Sequence, residues 1–256
     1  VCSTWGNFHF KTFDGAIFYF PGLCNYIFAS QCNTPYEDFN IQLRRTVVDN
    51  APTISRVTMR LEGVAIELRK DIITINSNKV QLPYSQSGVT IDKSSIYVKV
   101  ASKMGIMLMW NEDDSILLEL SEKYANQTCG LCGDFNGLPG YNEFYSNNVK
   151  LTALQYGNMQ KLDGPTEHCE DYAPSAPDNC TESSDDICQK TLTSSAFAEC
   201  NSLVDVTEYI AACQADLCRS RVSKNSSCIC DTIAEYSRQC AHAGGQPLNW
   251  RTSKLC

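Results

Sequence analysis

The residues of this chain best suited to chemistry lie in one short segment, Cys129-Gly130-Leu131-Cys132-Gly133-Asp134-Phe135-Asn136-Gly137. It contains two thiols, three glycines and two side chains that offer oxygen ligands. A Cys-x-x-Cys pair can carry out redox exchange, and oxygen ligands can bind a hard cation. Cysteines between glycines can also anchor a turn through disulfides. The segment is therefore a redox motif, a metal-binding loop or a disulfide-anchored turn.

The redox interpretation is the weaker one for the two thiols. A thioredoxin-like pair needs a helix N-terminus after a βα unit, which lowers the pKa of the attacking thiol. Here Gly130, Gly133 and Gly137 lie among strand-like patterns. We expect Cys129 and Cys132 to form structural disulfides, with thiol exchange during assembly as the alternative.

Further oxygen ligands follow the two cysteines. Asp134, Asn136, Asn142 and Glu143 lie within ten residues, around turn-forming glycine and proline. Such a loop can direct several oxygens at one cation. The spacing is not that of an EF-hand, because no bidentate glutamate closes a twelve-residue loop. On spacing alone, a polar turn is favoured over a metal site.

Cysteine usage predicts an extracellular protein. The 256 residues include 15 cysteines, which cytosolic reductants would keep as free thiols. Three glycosylation sequons agree with secretion, and they begin at Asn126, Asn179 and Asn225. No apolar run is long enough to span a bilayer, and the first residues lack the pattern of a signal peptide. We expect a mature or excised piece of a longer secreted chain.

The charge balance excludes one class of partner. There are 21 basic and 29 acidic side chains, a net charge of -8. Binding of nucleic acid requires clustered Lys and Arg that displace phosphate counterions. We therefore expect no nucleic-acid partner. The lack of a long apolar run predicts no membrane insertion.

Strand patterns dominate the first two thirds of the chain. Apolar and polar residues alternate, as expected for strands with one buried face. Turn residues separate these short segments, which favours a β-sandwich. The alternating segments are residues 39–44, 57–62, 64–68, 73–75, 96–100 and 116–120.

The pattern changes near residue 170. Residues 171–180 are rich in Pro, Ala and Asp without periodicity, which predicts a linker. Residues 181–256 are cysteine-dense and predict a small helical module. Asp205 and Glu208 resemble a capping box, and Asp231 is predicted to cap a second helix. In that helix, Tyr236 and Cys240 would share one face.

Three long motifs resemble a known family, the von Willebrand factor type D domain of secreted gel-forming mucins. They are Cys2-Ser-Thr-Trp-Gly-Asn-Phe-His-Phe-Lys-Thr-Phe-Asp-Gly15, Phe20-Pro-Gly-Leu-Cys-Asn-Tyr26 and Tyr124-Ala-Asn-Gln-Thr-Cys-Gly-Leu-Cys-Gly-Asp-Phe-Asn-Gly137. Residues 197–200, 236–245 and 250–256 resemble the eight-cysteine (C8) module that follows this domain. The resemblance implies a mainly β-sandwich domain at 1–170 and a disulfide-rich α-helical C8 module at 181–256. A trypsin-inhibitor-like module would begin about where the sequence stops.

The resemblance also implies a disulfide pattern. Its pairs are Cys2–Cys132, Cys24–Cys169 and Cys32–Cys129. An odd number of cysteines leaves one thiol unpaired, or bonded outside the chain. Cys256 would pair with the module that follows. Alternatively, Cys228 would lack a partner, since Ser220 replaces a cysteine common in the family.

The resemblance reverses the judgement on the metal. It implies a structural Ca²⁺ site formed by Asp14, Asp134, Asn136, Asn142 and Glu143. A weaker copper hypothesis rests on thioethers, which suit Cu(I), at Met104, Met107 and Met109. His242 would belong to a separate nitrogen site. Packing in the core is the favoured role of these methionines.

The expected function is non-enzymatic, since hydrolase and phosphate-binding motifs are absent from the sequence. We expect the first D assembly of a secreted mucin, packing against other D assemblies of the same mucin in a calcium- and pH-dependent way. Titration in secretory granules would involve His9, His168 and His242. The alternatives are a thiol-disulfide exchange catalyst and a non-polymerising adhesion or metal-carrier domain.

Overall fold

The computed structural model describes residues 1–138, 142–173, 186–223 and 228–256. Of residues 142, 220–223 and 228 it describes only the backbone. The chain divides into two compact units. The first contains Val1–Thr4 and Phe8–Pro174, and the second contains Trp5–Asn7 and Ser175–Cys256. None of the helices in these described ranges is both long and apolar enough to cross a membrane.

The first unit is built from antiparallel strands. They are β1 Cys2–Trp5, β2 His9–Lys11, β3 Ile17–Tyr19, β4 Asn25–Gln31, β5 Phe39–Val48, β6 Ala51–Leu61, β7 Val64–Arg69, β8 Ile72–Ile75, β9 Asn78–Lys79, β10 Tyr84–Gln86, β11 Val89–Ser94, β12 Tyr97–Ser102, β13 Ile106–Trp110, β14 Ile116–Leu120, β15 Thr128–Cys129, β16 Tyr145–Ser146 and β17 Val149–Lys150. One short helix, α1 Ala153–Met159, follows them.

These strands form two large sheets. The eight-stranded sheet has the order β10-β11-β12-β13-β14-β1-β2-β3. The seven-stranded sheet has the order β15-β4-β5-β6-β7-β8-β9. Buried side chains from both sheets form one hydrophobic cluster, so the first unit is a β-sandwich. The fold class predicted from the sequence is confirmed.

The alternating pattern predicted the central strands correctly. In β5, Phe39, Ile41 and Leu43 are buried, whereas the polar residues between them are half-buried. Burial of each such apolar side chain contributes roughly 1.5–3 kcal/mol. A two-residue turn of Asp49 and Asn50 joins β5 to β6, with φ of 50° and 63°. Asp and Asn tolerate this left-handed conformation, which matches the twist of a hairpin.

The second unit is helical. Its helices are α2 Ile187–Leu192, α3 Cys200–Leu203, α4 Thr207–Ser223 and α5 Cys228–His242. The disulfide Cys188–Cys213 joins α2 to α4, and Cys200–Cys240 joins α3 to α5. A further disulfide, Cys230–Cys256, joins α5 to the C-terminal segment. Cys218 is disulfide-bonded as well.

The sequence predicted α4 and α5 but not the shorter α2 and α3, and it misplaced the start of α5. The Asp205 carboxylate accepts a hydrogen bond from the Thr207 amide at 2.9 Å, at the start of α4. Tyr236 and Cys240 are both fully buried on one face of α5. The cap predicted at Asp231 is wrong. Because α5 begins at Cys228, Asp231 lies in its first turn, where a carboxylate still complements the helix dipole.

Cys256 also differs from expectation. It was expected to bond to a following module, but it forms a disulfide with Cys230 inside the chain. The other suspect for the odd thiol, Cys228, has a side chain outside the described residues, as does Ser220. The predicted linker is described only as far as residue 173.

Candidate metal site beside a disulfide-anchored turn

Residues 129–133 form a tight turn against strand β4. The amides of Leu131 and Cys132 donate hydrogen bonds to the carbonyls of Ile27 and Phe28, at 3.0 and 2.9 Å. Gly130 has a φ of 114°, and a Cβ atom there would lie 2.8 Å from the Phe28 carbonyl oxygen. The turn approaches β4 so closely that only glycine fits at this position.

A long-range disulfide ties this turn to the N-terminus. Cys132 is bonded to Cys2 across 130 residues of sequence. Both side chains are fully buried. In the loop-entropy description, closing a loop of that length stabilises the fold by about 5 kcal/mol. The turn is therefore a fixed platform for the residues that follow it.

The next residues, 134–138, form a loop that folds onto Asp14. The two oxygens of the Asp14 carboxylate accept hydrogen bonds from the amides of Asn136 and Gly137, at 3.1 and 2.8 Å. The side-chain amide of Asn136 donates to Asp134 at 2.9 Å. This network holds Asp14 and Asp134 close together although they are far apart in sequence.

Glu143 completes a cluster of carboxylates. Asp14, Asp134 and Glu143 each place one oxygen within 4.8 Å of those of the others. Glu143 belongs to a short 3-10 helix, Asn142–Phe144, and is only 9% exposed. Neither of its carboxylate oxygens has a hydrogen-bond partner. Buried carboxylates without partners are costly unless a cation neutralises them.

The electrostatics of the cluster reflect this excess of negative charge. Burial, together with smaller contributions from the nearby Asp14 and Asp134, raises the pKa of Glu143 to about 7. Burial also raises the pKa of Asp134, again with a contribution from Asp14. The protein thus brings together carboxylates that resist being ionised together. The donor set consists of hard oxygens, so it fits Ca²⁺.

The other two predicted ligands are the asparagines Asn136 and Asn142. The amide oxygen of Asn136 accepts a hydrogen bond from the Leu138 amide at 2.8 Å, and its nitrogen holds Asp134. Asn136 therefore organises the loop around the carboxylates. The side chain of Asn142 lies outside the described residues. Both remain predicted ligands.

The structure contains two of the three disulfides implied for the first unit, Cys2–Cys132 and Cys24–Cys169. The third is absent, because Cys32 and Cys129 are free thiols. In the pairing of β4 with β15, Cys129 lies opposite Ser30, so Cys32 is its diagonal neighbour.

The two free thiols lie in a protected environment. The Cys129 sulfur is 3.4 Å from the Ser30 hydroxyl oxygen. Burial raises the pKa of Cys32 to about 12, and the adjacent Cys129 thiol contributes. A thiol with a raised pKa is a poor nucleophile at neutral pH. Since Cys132 is bonded to Cys2, the Cys-x-x-Cys motif does not act as one pair here.

The copper hypothesis concerns residues in different environments. Met107 and Met109 lie half-buried on the outer face of β13. Met104 precedes that strand and packs against the hydrophobic core. His242 is the last residue of α5, in the second unit, and is exposed. The copper sites stay predictions.

Other predicted residues occupy varied positions. Asn126, the first sequon asparagine, is exposed with a φ of 61°. Asn179 and Asn225 lie outside the described residues. His9 is buried, whereas His168 is exposed, with its ring nitrogen 3.0 Å from the Glu170 carboxylate. Glycosylation and a histidine pH switch stay predictions.

The sandwich, the glycine-rich turn and the helical unit define the class of protein. The von Willebrand factor type D domain family matches residues 2–149, and the C8 domain family matches residues 187–256. The chain belongs to the von Willebrand factor type D domain family and carries a C8 domain after it.

Similarity to individual proteins specifies the class further. The chain is 55% identical to human mucin-5B and 55% identical to human mucin-5AC over its whole length. It is 46% identical to human mucin-2. It spans only 4% of the length of the first two relatives and 5% of the third. These similarities support the predicted mucin D assembly of the 5B, 5AC or ovomucin type.

Proposed function

We propose that this chain is a non-enzymatic assembly module of a secreted gel-forming mucin, held in shape by a structural calcium ion. The observation that carries the calcium part is the cluster of Asp14, Asp134 and Glu143, in which buried Glu143 has two unpartnered oxygens. The similarity to mucins supports the assembly part.

The calcium ion would hold three separate segments together. Asp14 lies in the turn between β2 and β3, Asp134 follows the disulfide-anchored turn, and Glu143 lies in the 3-10 helix. Neutralising their charges offsets the cost of burial and the mutual repulsion, which together raise the pKa values of Asp134 and Glu143. A ligand at a hundred times its dissociation constant stabilises the folded state by about 2.7 kcal/mol.

A rigid surface is the property that an assembly module requires. The first unit buries a continuous core and closes two very long disulfide loops, Cys2–Cys132 and Cys24–Cys169. Other D assemblies of the same mucin would be its partners, in secretory granules and then outside the cell. Calcium and pH would regulate this packing, and disulfides would link the polymer.

The second candidate function is thiol-disulfide exchange. Free, adjacent Cys32 and Cys129 favour it, because they could exchange with another chain. The raised pKa of Cys32 opposes it, since burial keeps that thiol protonated. The third candidate, a non-polymerising adhesion or metal-carrier domain, would use the same fold without self-association.

Sedimentation velocity tests the proposal directly. We expect the chain to self-associate when calcium is present at mildly acidic pH, and to associate less in a chelating buffer. The variant Glu143→Gln should lose this response to calcium. The matched control Glu37→Gln changes an exposed glutamate elsewhere in the first unit and should keep it. A wild-type chain that stays monomeric at every pH and calcium concentration would contradict the assembly role. It would favour the non-polymerising adhesion or metal-carrier domain.

A further inference from the structure

Asn136 and Gly137 form the only Asn-Gly dipeptide in this sequence. This dipeptide is the most prone to spontaneous deamidation, because glycine has no side chain to hinder its own backbone nitrogen. The dipeptide is accessible to water, since Asn136 is half-buried and Gly137 is exposed. It lies between the carboxylates of Asp14 and Asp134, which contact its reacting atoms.

The reaction itself needs only water. The Gly137 nitrogen gives its proton to a solvent base and attacks Cγ of Asn136. A bond forms between this nitrogen and Cγ, and the bond from Cγ to Nδ2 breaks, so ammonia leaves with a proton from solvent. The product is a cyclic succinimide. Water then opens either carbonyl of the ring and leaves aspartate or isoaspartate at position 136.

Hydrogen bonds restrain both the attacking atom and the leaving group. The Gly137 amide donates to Oδ1 of Asp14 at 2.8 Å, and Nδ2 of Asn136 donates to Oδ2 of Asp134 at 2.9 Å. The carbonyl under attack, Oδ1 of Asn136, accepts from the Leu138 amide at 2.8 Å. The first two bonds must be lost before the ring can close, whereas the third would assist the attack.

The two opposing hydrogen bonds outweigh the assisting one. Both opposing bonds have a carboxylate acceptor, Asp14 for the Gly137 amide and Asp134 for Nδ2 of Asn136. A hydrogen bond to a charged acceptor is stronger than one between neutral groups, such as that from the Leu138 amide.

We propose that Asn136–Gly137 is a latent deamidation site, kept unreacted by its hydrogen bonds to Asp14 and Asp134. The site reacts when the loop opens and these bonds are lost. Aspartate at position 136 adds another carboxylate beside Asp14 and Asp134. Isoaspartate lengthens the backbone by one carbon and displaces the Gly137 amide from Asp14. Neither product returns to asparagine, so either one at position 136 shows that the loop has opened. The proposal does not depend on calcium binding.

Peptide mapping by mass spectrometry tests this proposal. The intact chain is incubated in chelating buffer at mildly alkaline pH, and asparagine, aspartate and isoaspartate at position 136 are quantified over time. A free peptide of residues 133–140 gives the unrestrained rate. The folded wild type should react at least about tenfold more slowly than the peptide. Equal rates would overturn the proposal, whatever the variants show.

Variants then identify the restraining residue. Asp14→Ala should raise the rate at Asn136 by about tenfold. Asp92→Ala, at an exposed aspartate of β11, should not change it. The deamidation rates of Asn76-Ser77 and Asn201-Ser202, measured in the same samples, show whether a variant loosens either unit in general. These rates should be the same in the wild type and the variants. A folded Asp14→Ala chain that reacts at the wild-type rate or more slowly would overturn the proposal, because Asp14 would then not restrain Gly137.

Discussion

Gly133 lies directly against Glu143. A Cβ atom at Gly133 would be 2.8 Å from Oε1 of Glu143 and 2.8 Å from its Cγ. Gly133 follows Cys132, whose sulfur is bonded to Cys2. The disulfide-anchored turn and the carboxylate cluster are therefore in contact, and a change in one must alter the other.

Substitution of Gly133 tests this contact. Gly133→Ala should lower the free energy of unfolding by about 1–3 kcal/mol more than Gly63→Ala, because the added methyl group displaces Glu143. The two glycines have nearly the same φ, 82° and 83°, but nothing lies within 4 Å of a Cβ at Gly63. Urea denaturation measures both losses. Equal losses would mean that the contact with Glu143 is unimportant.

The metal-free protein should become less stable as pH rises through neutrality. The pKa of Glu143 is raised from 4.5 to about 7, chiefly by burial. A carboxyl whose folded-state pKa is raised contributes stability below its unfolded value, and this contribution is lost as pH rises through the folded value. Thermal melts in chelating buffer should therefore give a lower Tm at pH 8 than at pH 5. Glu143→Gln, which cannot ionise there, should reduce this difference, and an unchanged difference would contradict the assignment.

The disulfide-bonded pair of cysteines should contribute far more to the free energy of unfolding than the pair of free thiols. Replacing Cys2 and Cys132 together by serine removes a disulfide spanning 130 residues and should cost about 5 kcal/mol. Replacing Cys32 and Cys129 by serine should cost far less, since both are free thiols. Denaturation in urea measures both changes.

The reactivity of the thiols tests whether Cys32 and Cys129 are free in the native protein. Alkylation of Cys32 should be much slower in the folded chain than in the unfolded chain, because burial raises its pKa to about 12. Mass spectrometry that finds Cys32 joined to Cys129 in the oxidised native protein would show that the family pairing holds and that the free-thiol arrangement is wrong.

A buried hydrogen-bond chain should support the helical unit. The Trp5 indole donates to the Thr232 hydroxyl at 3.1 Å, and that hydroxyl donates to the fully buried Asp216 carboxylate at 2.5 Å. Thr232→Val removes both hydrogen bonds and should destabilise this unit by about 1–3 kcal/mol. Thr232→Ser keeps the hydroxyl and should recover most of that loss in thermal melts followed by circular dichroism. Equal losses in the two variants would show that packing matters and the hydrogen bonds do not.

The sequence predicted those strands whose two faces differ. In β5, β6 and β7 one face is buried and the other meets solvent, so apolar and polar residues alternate. Strand β1 was missed, because Cys2, Ser3, Thr4 and Trp5 are all buried and the pattern therefore lacks alternation. The helix α5 was recognised, but its start was placed at Asp231, although a serine, Ser227, directly precedes the first helical residue in the sequence.

The spacing of residues in the sequence was not enough to predict the candidate site. Asp134 and Glu143 are near in sequence, but Asp14 is distant, and nothing in the local pattern pairs it with them. Only the resemblance to a family brought Asp14 into the predicted site. The position of Glu143 against Gly133 depends on tertiary packing, as does the diagonal arrangement of Cys32 and Cys129.

Calcium binding, measured by isothermal titration calorimetry on the chelator-stripped chain, tests the central claim most directly. We expect saturable binding at neutral pH that weakens strongly in Glu143→Gln and in Asp14→Asn, and that persists in Glu37→Gln. A folded wild-type chain that binds no calcium, or a Glu143→Gln variant that binds it as tightly as the wild type, would contradict the account.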